Sequence, residues 1–382
     1  WVELTRFSRD KGSVFVPLAI DNDDKKLIVA TNRNRDTMAV YRYDPETKTL
    51  GDMLASHPRY DMGADAQGTR VAGVSIDPET NKLLGYRVEA DKPEIVWTDE
   101  SRAKTQQMLD AALPGMINTF RRTKGSKLLV SSFSDVKQPR WYLLDEDKRT
   151  LEEIGASRPW LDGKLVEQRS FIYKTRDGLE IPGYLFLPPN YKPGTKLPTI
   201  VHIHGGGWRA GTKFPCPVVG MVLKDYAVAS VEYRFSQKAV FPAQIQDCQA
   251  AIRWLRAHAK QYQFDTEHLG AIGGSAGGHL SALVGTSGGK KAFPPIGGHE
   301  DQSERVQAVC DIFGPADFTT VVQQAAEDKN VKNIFAFNTP SDPYSGLIGT
   351  KLDDKAKAEA VSPVHYISKD APPFLILHGT HD

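Results

Sequence analysis

Cysteine is scarce: Cys216, Cys248 and Cys310 are the three in a chain of 382 residues. An odd, sparse set is not a disulfide framework, and three buried thiols are expected. An excess of charge of one sign is also missing. Lys and Arg number 48 against 47 Asp and Glu, a formal net charge of +1. Such a balance creates no field for nucleic acid or an anionic membrane, so a small or neutral substrate is expected. No apolar run reaches the roughly 18 residues that a membrane span needs. Clustered Cys/His ligand spacing is absent too, so no metal and no organic cofactor is implied. The opening Trp1-Val2-Glu3-Leu4 is not a signal peptide. Because the chain starts at Trp rather than Met, it reads as a processed or truncated product. A soluble protein is expected, with its compartment, cytoplasmic or periplasmic/secreted, left open.

What is present is an ordinary globular composition, 40% hydrophobic and 25% charged. The length favours two domains, read as 1–158 and 159–382. The first part is rich in short strands: 12–20, 26–31, 38–43, 70–76, 83–88, 128–133 and 140–144, divided by Asp, Asn, Pro and Gly clusters. A turn unit recurs in Tyr43-Asp44-Pro45-Glu46-Thr47-Lys48 and Ile76-Asp77-Pro78-Glu79-Thr80-Asn81, with a weaker copy at Leu144-Asp145-Glu146-Asp147-Lys148-Arg149. The aspartates stand 33 and then 68 residues apart, close to one and two periods. Strand, acidic turn, strand at a fixed spacing predicts repeated β-units of the propeller-blade kind. One helix is expected over 99–113.

The pattern changes beyond Pro159-Trp160-Leu161. A β-hairpin is expected over 168–173 and 179–187, joined through Arg176-Asp177-Gly178. From Leu197 onward, apolar strands (198–204, 226–233, 269–273, 306–313, 374–379) alternate with helices (243–262, 275–284). Continuous apolar strands separated by helices predict an α/β fold: a doubly wound, mostly parallel sheet covered on both faces.

Three motifs carry chemistry. Gly273-Gly274-Ser275-Ala276-Gly277 fits Gly-x-Ser-x-Gly, the nucleophile elbow, after a predicted strand and before a predicted helix. A serine on so tight a turn needs room beside it, which Gly273 and Gly277 supply. Ser275 is the candidate nucleophile. His202-Ile203-His204-Gly205-Gly206-Gly207-Trp208 ends an apolar strand 68 residues earlier. Consecutive glycines let backbone N–H groups converge where an oxyanion develops, so Gly206, Gly207 and Ala276 are the candidate donors. His204 is expected to hold this loop rather than transfer protons. Finally, Phe374-Leu375-Ile376-Leu377-His378-Gly379-Thr380-His381-Asp382 places a carboxylate after an apolar strand, making Asp382 the candidate triad acid.

The base is the difficulty. Chain order in an α/β-hydrolase is Ser, then Asp, then His. All ten histidines precede Asp382. His279 lies one helical turn from Ser275 and is expected to be structural. His381 adjoins the acid, a poor position for bridging it to Ser275. The chain is therefore expected to stop before its base and to be catalytically incomplete as it stands.

On these residues, about 197–382 resemble the bacterial acetyl/feruloyl esterase-like branch of the α/β-hydrolases. Further matching stretches are Tyr226 to Arg234, Phe241-Pro242-Ala243, Phe313-Gly314-Pro315-Ala316-Asp317-Phe318 and Ser362-Pro363. Residues 1 to about 196 resemble the prolyl oligopeptidase family, through the blade-like repeats, Arg158-Pro159-Trp160-Leu161 and the segment Tyr173 to Tyr184. That family places a β-propeller before its hydrolase domain. Its peptidases have His-Gly-Gly-Pro and an aromatic after the nucleophile, where this chain has His-Gly-Gly-Gly-Trp and Ala276. The resemblance thus implies a serine hydrolase acting on small carboxylic esters. A serine peptidase acting on short peptides is the alternative, and a non-catalytic binding protein on a hydrolase fold is a third reading.

Overall fold

The computed structural model describes residues 14–380 apart from 22–24, 59, 65–72, 78–79, 81, 89, 91–93, 123–124, 176–177, 190, 291, 328–336, 338 and 340–341. Candidate acid Asp382 and His381 therefore lie outside the described residues. The chain divides into two compact units, Trp1–Leu165 and Val166–Asp382.

The first unit is built from three separate antiparallel sheets. Strands β1 (Phe15–Ile20), β2 (Leu27–Thr31), β3 (Ala39–Asp44) and β4 (Thr49–Ala55) form one in sequence order. Next come β5 (Val74–Ile76), β6 (Leu83–Val88) and β7 (Glu94–Trp97). Helix α1 (Glu100–Ala112) precedes β8 (Ile117–Arg122), β9 (Lys127–Phe133), β10 (Arg140–Asp145) and β11 (Thr150–Ala156). The recurring aspartates act alike. Asp44 Oδ1 accepts from the N–H of Thr47 (3.1 Å), Asp77 Oδ1 from Thr80 (3.0 Å) and Asp145 Oδ1 from Lys148 (3.0 Å). Each closes a turn between two paired strands, which is why the period was visible. The β-rich reading stands, but these separate sheets do not amount to a closed propeller ring. Strands β4, β7, β8 and β11 escaped the sequence reading. β4 and β11 are largely exposed, each with a single paired neighbour, so their residues carry little apolar alternation. Helix α1 matches its expected span because Asp99 caps it, accepting from the N–H of Arg102 at 3.1 Å.

The second unit holds a seven-stranded sheet. Its strands are β12 (Gln168–Lys174), β13 (Glu180–Phe186), β14 (Leu197–Ile203), β15 (Ala227–Val231), β16 (Phe264–Gly274), β17 (Ala308–Ile312) and β18 (Phe374–Leu377), ordered β12-β13-β15-β14-β16-β17-β18. β12 and β13 pair antiparallel with their neighbours, and the other pairings are parallel. The hairpin thus completes the hydrolase sheet. Apolar continuity has a direct cause. Along β13, Ile181 and Leu185 face the main core while Tyr184 and Phe186 face a second cluster with Val222 and Val228. Both faces are covered, so alternate residues are both apolar.

Helices α2 (Ala243–Ala257) and α4 (Ala276–Ser287) enter the main core, through residues such as Ile252 and Leu280. The expected single helix over 243–262 is broken at His258, beyond which lies α3 (Ala259–Tyr262). The imidazole Nδ1 of His258 bonds to Trp254 O at 2.8 Å and its ring stacks on the indole, which ends α2 there. Short helices α5 (Val321–Glu327), α6 (Pro343–Ile348) and α7 (Lys355–Val361) were not read from the sequence. Edge strand β18 leaves Leu375, Ile376 and Leu377 exposed. Cys216 and Cys248 are buried thiols, whereas Cys310 is half-buried, and none is bonded to another. Among the described residues no helix is long and apolar enough to cross a membrane.

Ile203 ends β14 fully buried and presents its carbonyl to the turn after β16. Ile203→Ala is expected to destabilise this unit by about 3 kcal/mol, read as a lower urea midpoint.

Candidate active site

Strand β16 runs into α4 through a single residue, Ser275, whose φ is 56° and ψ −122°. A side chain in this region costs on the order of 1–3 kcal/mol, so its surroundings must hold it. They do so on both sides of the turn. The Ser275 N–H donates to Ile312 O on β17 at 2.9 Å, and Ser275 O accepts from the N–H of His279 at 2.9 Å. A Cβ on Gly277 would sit 2.1 Å from Ile203 O, and one on Gly273 2.4 Å from the Gly277 carbonyl. The expected reason for both glycines holds: strand β14 and the elbow touch backbone to backbone.

Ser275 is exposed although it heads a buried helix. A serine at this position ordinarily caps its helix by accepting from the backbone. Here the side chain makes no capping bond, and it has no hydrogen-bond partner among the described residues. The hydroxyl points away from the helix it precedes.

Beside it lies the triple-glycine loop. A Cβ on Gly205 would meet Gly274 O at 2.8 Å and Ser275 Cβ at 3.7 Å. Gly206 has φ +117°, with Ala210 O 2.0 Å from where a Cβ would stand. Its carbonyl accepts from the N–H groups of Arg209 and Ala210, which closes the turn. Among the described residues, the N–H groups of Gly206, Gly207 and Ala276 find no acceptor. Ala276 also opens the twelve-residue α4, whose N-terminal partial positive charge favours an anion.

A carboxylate that the sequence reading overlooked secures the loop. Glu232 accepts from His204 Nε2 at 2.9 Å, Thr212 Oγ1 at 3.1 Å and the Lys213 N–H at 2.9 Å. One side chain thus ties both ends of the 204–213 segment. Burial would raise the Glu232 carboxyl, but the His204 and Lys213 contacts outweigh it and bring it down to about 2. His204 Nδ1 lies 2.7 Å from Gly205 O, and its ring stacks on Tyr233 at 4.4 Å. Both ring nitrogens face acceptors, so the ring holds the loop and has no lone pair free for a substrate.

The other buried histidines are likewise engaged. Trp208 Nε1 donates to His279 Nδ1 at 3.1 Å, and His279 Nε2 donates to Val361 O at 2.8 Å. Burial keeps His279 neutral, pulling its pKa to about 4. His202 bonds to Ser230 Oγ at 2.9 Å and is also pulled to about 4, first by burial and then by nearby His204. No described histidine bonds to the Ser275 hydroxyl.

Asp311 and Phe313 complete the neighbourhood. Asp311, at the end of β17, is buried, and its Oδ1 accepts from the Gly314 N–H at 2.9 Å. Burial raises its carboxyl, an effect that the Gly314 bond and the charge of His378 only partly offset. The Phe313 ring lies against Gly274, immediately before the serine. The motif search passed over Asp311 and Phe313 because their relation to Ser275 arises from strand order. The sequence signal available for Glu232 was its place two residues after β15, at the end of an apolar strand.

The BD-FAE family model matches residues 184–382, just over half of the chain. The chain belongs to the BD-FAE family. The esterase LipQ of Mycobacterium tuberculosis is 31% identical over 262 residues, covering 66% of this chain and 59% of LipQ. The probable carboxylic ester hydrolase LipM of the same organism is 32% identical over 188 residues, covering 48% of this chain and 41% of LipM. This BD-FAE chain thus spans about half the length of the curated relatives it matches. Among solved structures, a truncated form of a carbohydrate esterase from gut microbiota is 30% identical with a TM-score of 0.46, covering 55% of this chain and 76% of that one.

Two outcomes test the site. Glu232→Gln keeps the shape but removes the charge that His204 faces. It should lower kcat/KM for an ester by at least about tenfold through a loosened glycine loop and destabilise the unit by about 3 kcal/mol. Because the folded-state pKa of Glu232 is depressed, its stabilisation is present above about 4.5 and is lost as pH falls toward 2. The gap in melting temperature between wild type and variant should shrink over that window. His202 and His279 act at higher pH. Each is harder to protonate folded than unfolded, so stability should fall as pH drops from 6.5 toward 4. Melting temperatures across that range, with His279→Gln showing a shallower decline, check this.

Proposed function

We propose that this protein hydrolyses small carboxylic esters through an acyl-enzyme on Ser275. One observation carries the reading: an exposed serine hydroxyl, freed from capping its helix by a strained backbone, stands beside three N–H groups without acceptors. A nucleophile and an oxyanion-binding set side by side are what acyl transfer needs.

In this reading Ser275 Oγ attacks the ester carbonyl, and the carbonyl oxygen gathers negative charge against the N–H groups of Gly206, Gly207 and Ala276. The C–O bond to the alcohol then breaks, the alcohol leaving with a proton, and water hydrolyses the acyl-serine. The chemistry requires an imidazole to take the serine proton, and Asp382 is the carboxylate assigned to orient it. LipQ and LipM carry ester-hydrolase names, which favours esters over peptides. The peptidase alternative has no such support here, and the glycine-tryptophan ending of the loop departs from that family's pattern. Residues 1–158 are read as a partial propeller-like domain ahead of the hydrolase domain at 159–382. The in-order sheets β1–β4 and β8–β11, each of four antiparallel strands, are the form a blade takes.

The test uses the full chain. A fluorophosphonate probe should label wild type at Ser275 and leave Ser275→Ala unlabelled. p-Nitrophenyl acetate turnover should fall by at least about 10³-fold in that variant. Turnover of a proline-linked peptide anilide with negligible ester turnover would reject the ester reading, and absence of any adduct would favour a non-catalytic binding protein.

A further inference from the structure

Phe313 is an aromatic residue in a conformation that aromatic residues avoid. Its φ is 46°, in the left-handed region where a bulky side chain is an outlier. The turn needs that backbone: the Phe313 N–H donates to Leu377 O at 2.7 Å, and one residue earlier Ile312 O accepts from the Ser275 N–H. A glycine would serve the backbone with less strain.

The ring gains little packing in return. It is 45% exposed and belongs to none of the apolar clusters. No aromatic ring lies against it among the described residues. Its described packing is against backbone: a Cβ on Gly274 would stand 3.4 Å from ring atoms Cε2 and Cζ. The flat, apolar surface is therefore held in solvent next to the exposed Ser275 hydroxyl. Across the triple-glycine loop, Pro343 approaches Gly207, a Cβ there lying 3.3 Å from Pro343 Cβ. Strain kept at such a place, without burial to offset it, marks a functional constraint.

We infer that Phe313 is a specificity-determining wall of the ester site, stacking against a flat apolar substituent of the substrate. The assignment rests on the ester-hydrolase reading and narrows its substrate class to esters with an aromatic or similarly planar group next to the scissile bond. Either the acyl or the alcohol side of the ester could bring that group to the ring, and the two arms of the experiment separate them. In the acyl arm, kcat/KM is measured for p-nitrophenyl benzoate and p-nitrophenyl acetate. In the alcohol arm, 2-naphthyl acetate is compared with ethyl acetate. Phe313→Ala and Phe313→Gly should reduce the wild-type preference for the aromatic ester by about tenfold in one arm, mainly through KM. Phe313→Trp should restore most of it. Phe313→Gly should melt no lower than wild type, since it relieves the backbone. Leu223→Ala, an exposed apolar residue on the short helix Val219–Lys224, is the control and should leave both preferences unchanged. Preferences within twofold of wild type in both arms, with Ser275 still labelled by the fluorophosphonate, overturn the assignment of Phe313 alone. A wild type whose Ser275 takes no label overturns the ester reading and this assignment together.

Discussion

The backbone contact between the end of β14 and the turn after β16 is the constraint on which the site depends. Ile203 O lies where any side chain at Gly277 would have to be, and the same carbonyl excludes a side chain at Gly273. That closeness brings the glycine loop leaving β14 and the serine leaving β16 to one point at the carboxyl end of the sheet. It also forces Ser275 through a positive φ, which turns its hydroxyl out of the capping position and into solvent. A nucleophile is thus produced by packing geometry before any proton-transfer partner is considered.

Charge placement follows from that geometry. A loop that leaves amides unpaired is unstable unless something else fixes it, because unpaired buried donors are costly. Glu232 and His204 fix it from beneath, with the carboxylate gathering both ends of the segment. Trp208 fixes it from the side: its indole N–H reaches His279 on the helix that Ser275 opens, and His279 continues to Val361. The oxyanion loop, the nucleophile helix and the C-terminal segment are joined through neutral and charged bonds that leave no ring nitrogen of His204 or His279 free for proton transfer.

Around this rigid centre the substrate-facing surface is sparse. Phe313 holds its ring exposed at the cost of backbone strain, while Pro343 of α6 closes toward the glycine loop. Asp342 secures α6 by accepting from the Tyr344 N–H at 2.9 Å. The chemistry is set by backbone, and the choice of substrate is set by a few side chains on the loops after β17 and before α6.

The sequence by itself determined what depends on local pattern. Apolar strands alternating with helices gave the parallel sheet, because both faces of each strand are covered. Gly-x-Ser-x-Gly between a strand and a helix marked Ser275, and three adjacent glycines after a strand marked the oxyanion loop, because both need space within a few residues. Recurring Asp turns gave the β-rich first unit, though not a closed ring, since ring closure depends on how sheets meet rather than on any turn. Tertiary structure alone decided the rest. Trp208 and His279 are 71 residues apart and His279 and Val361 82 apart. Glu232, Asp311 and Phe313 reach the site through sheet order, which no local spacing encodes. The break at His258 likewise came from a ring folding back on its own helix, a contact that outweighed a pattern otherwise continuous to Tyr262.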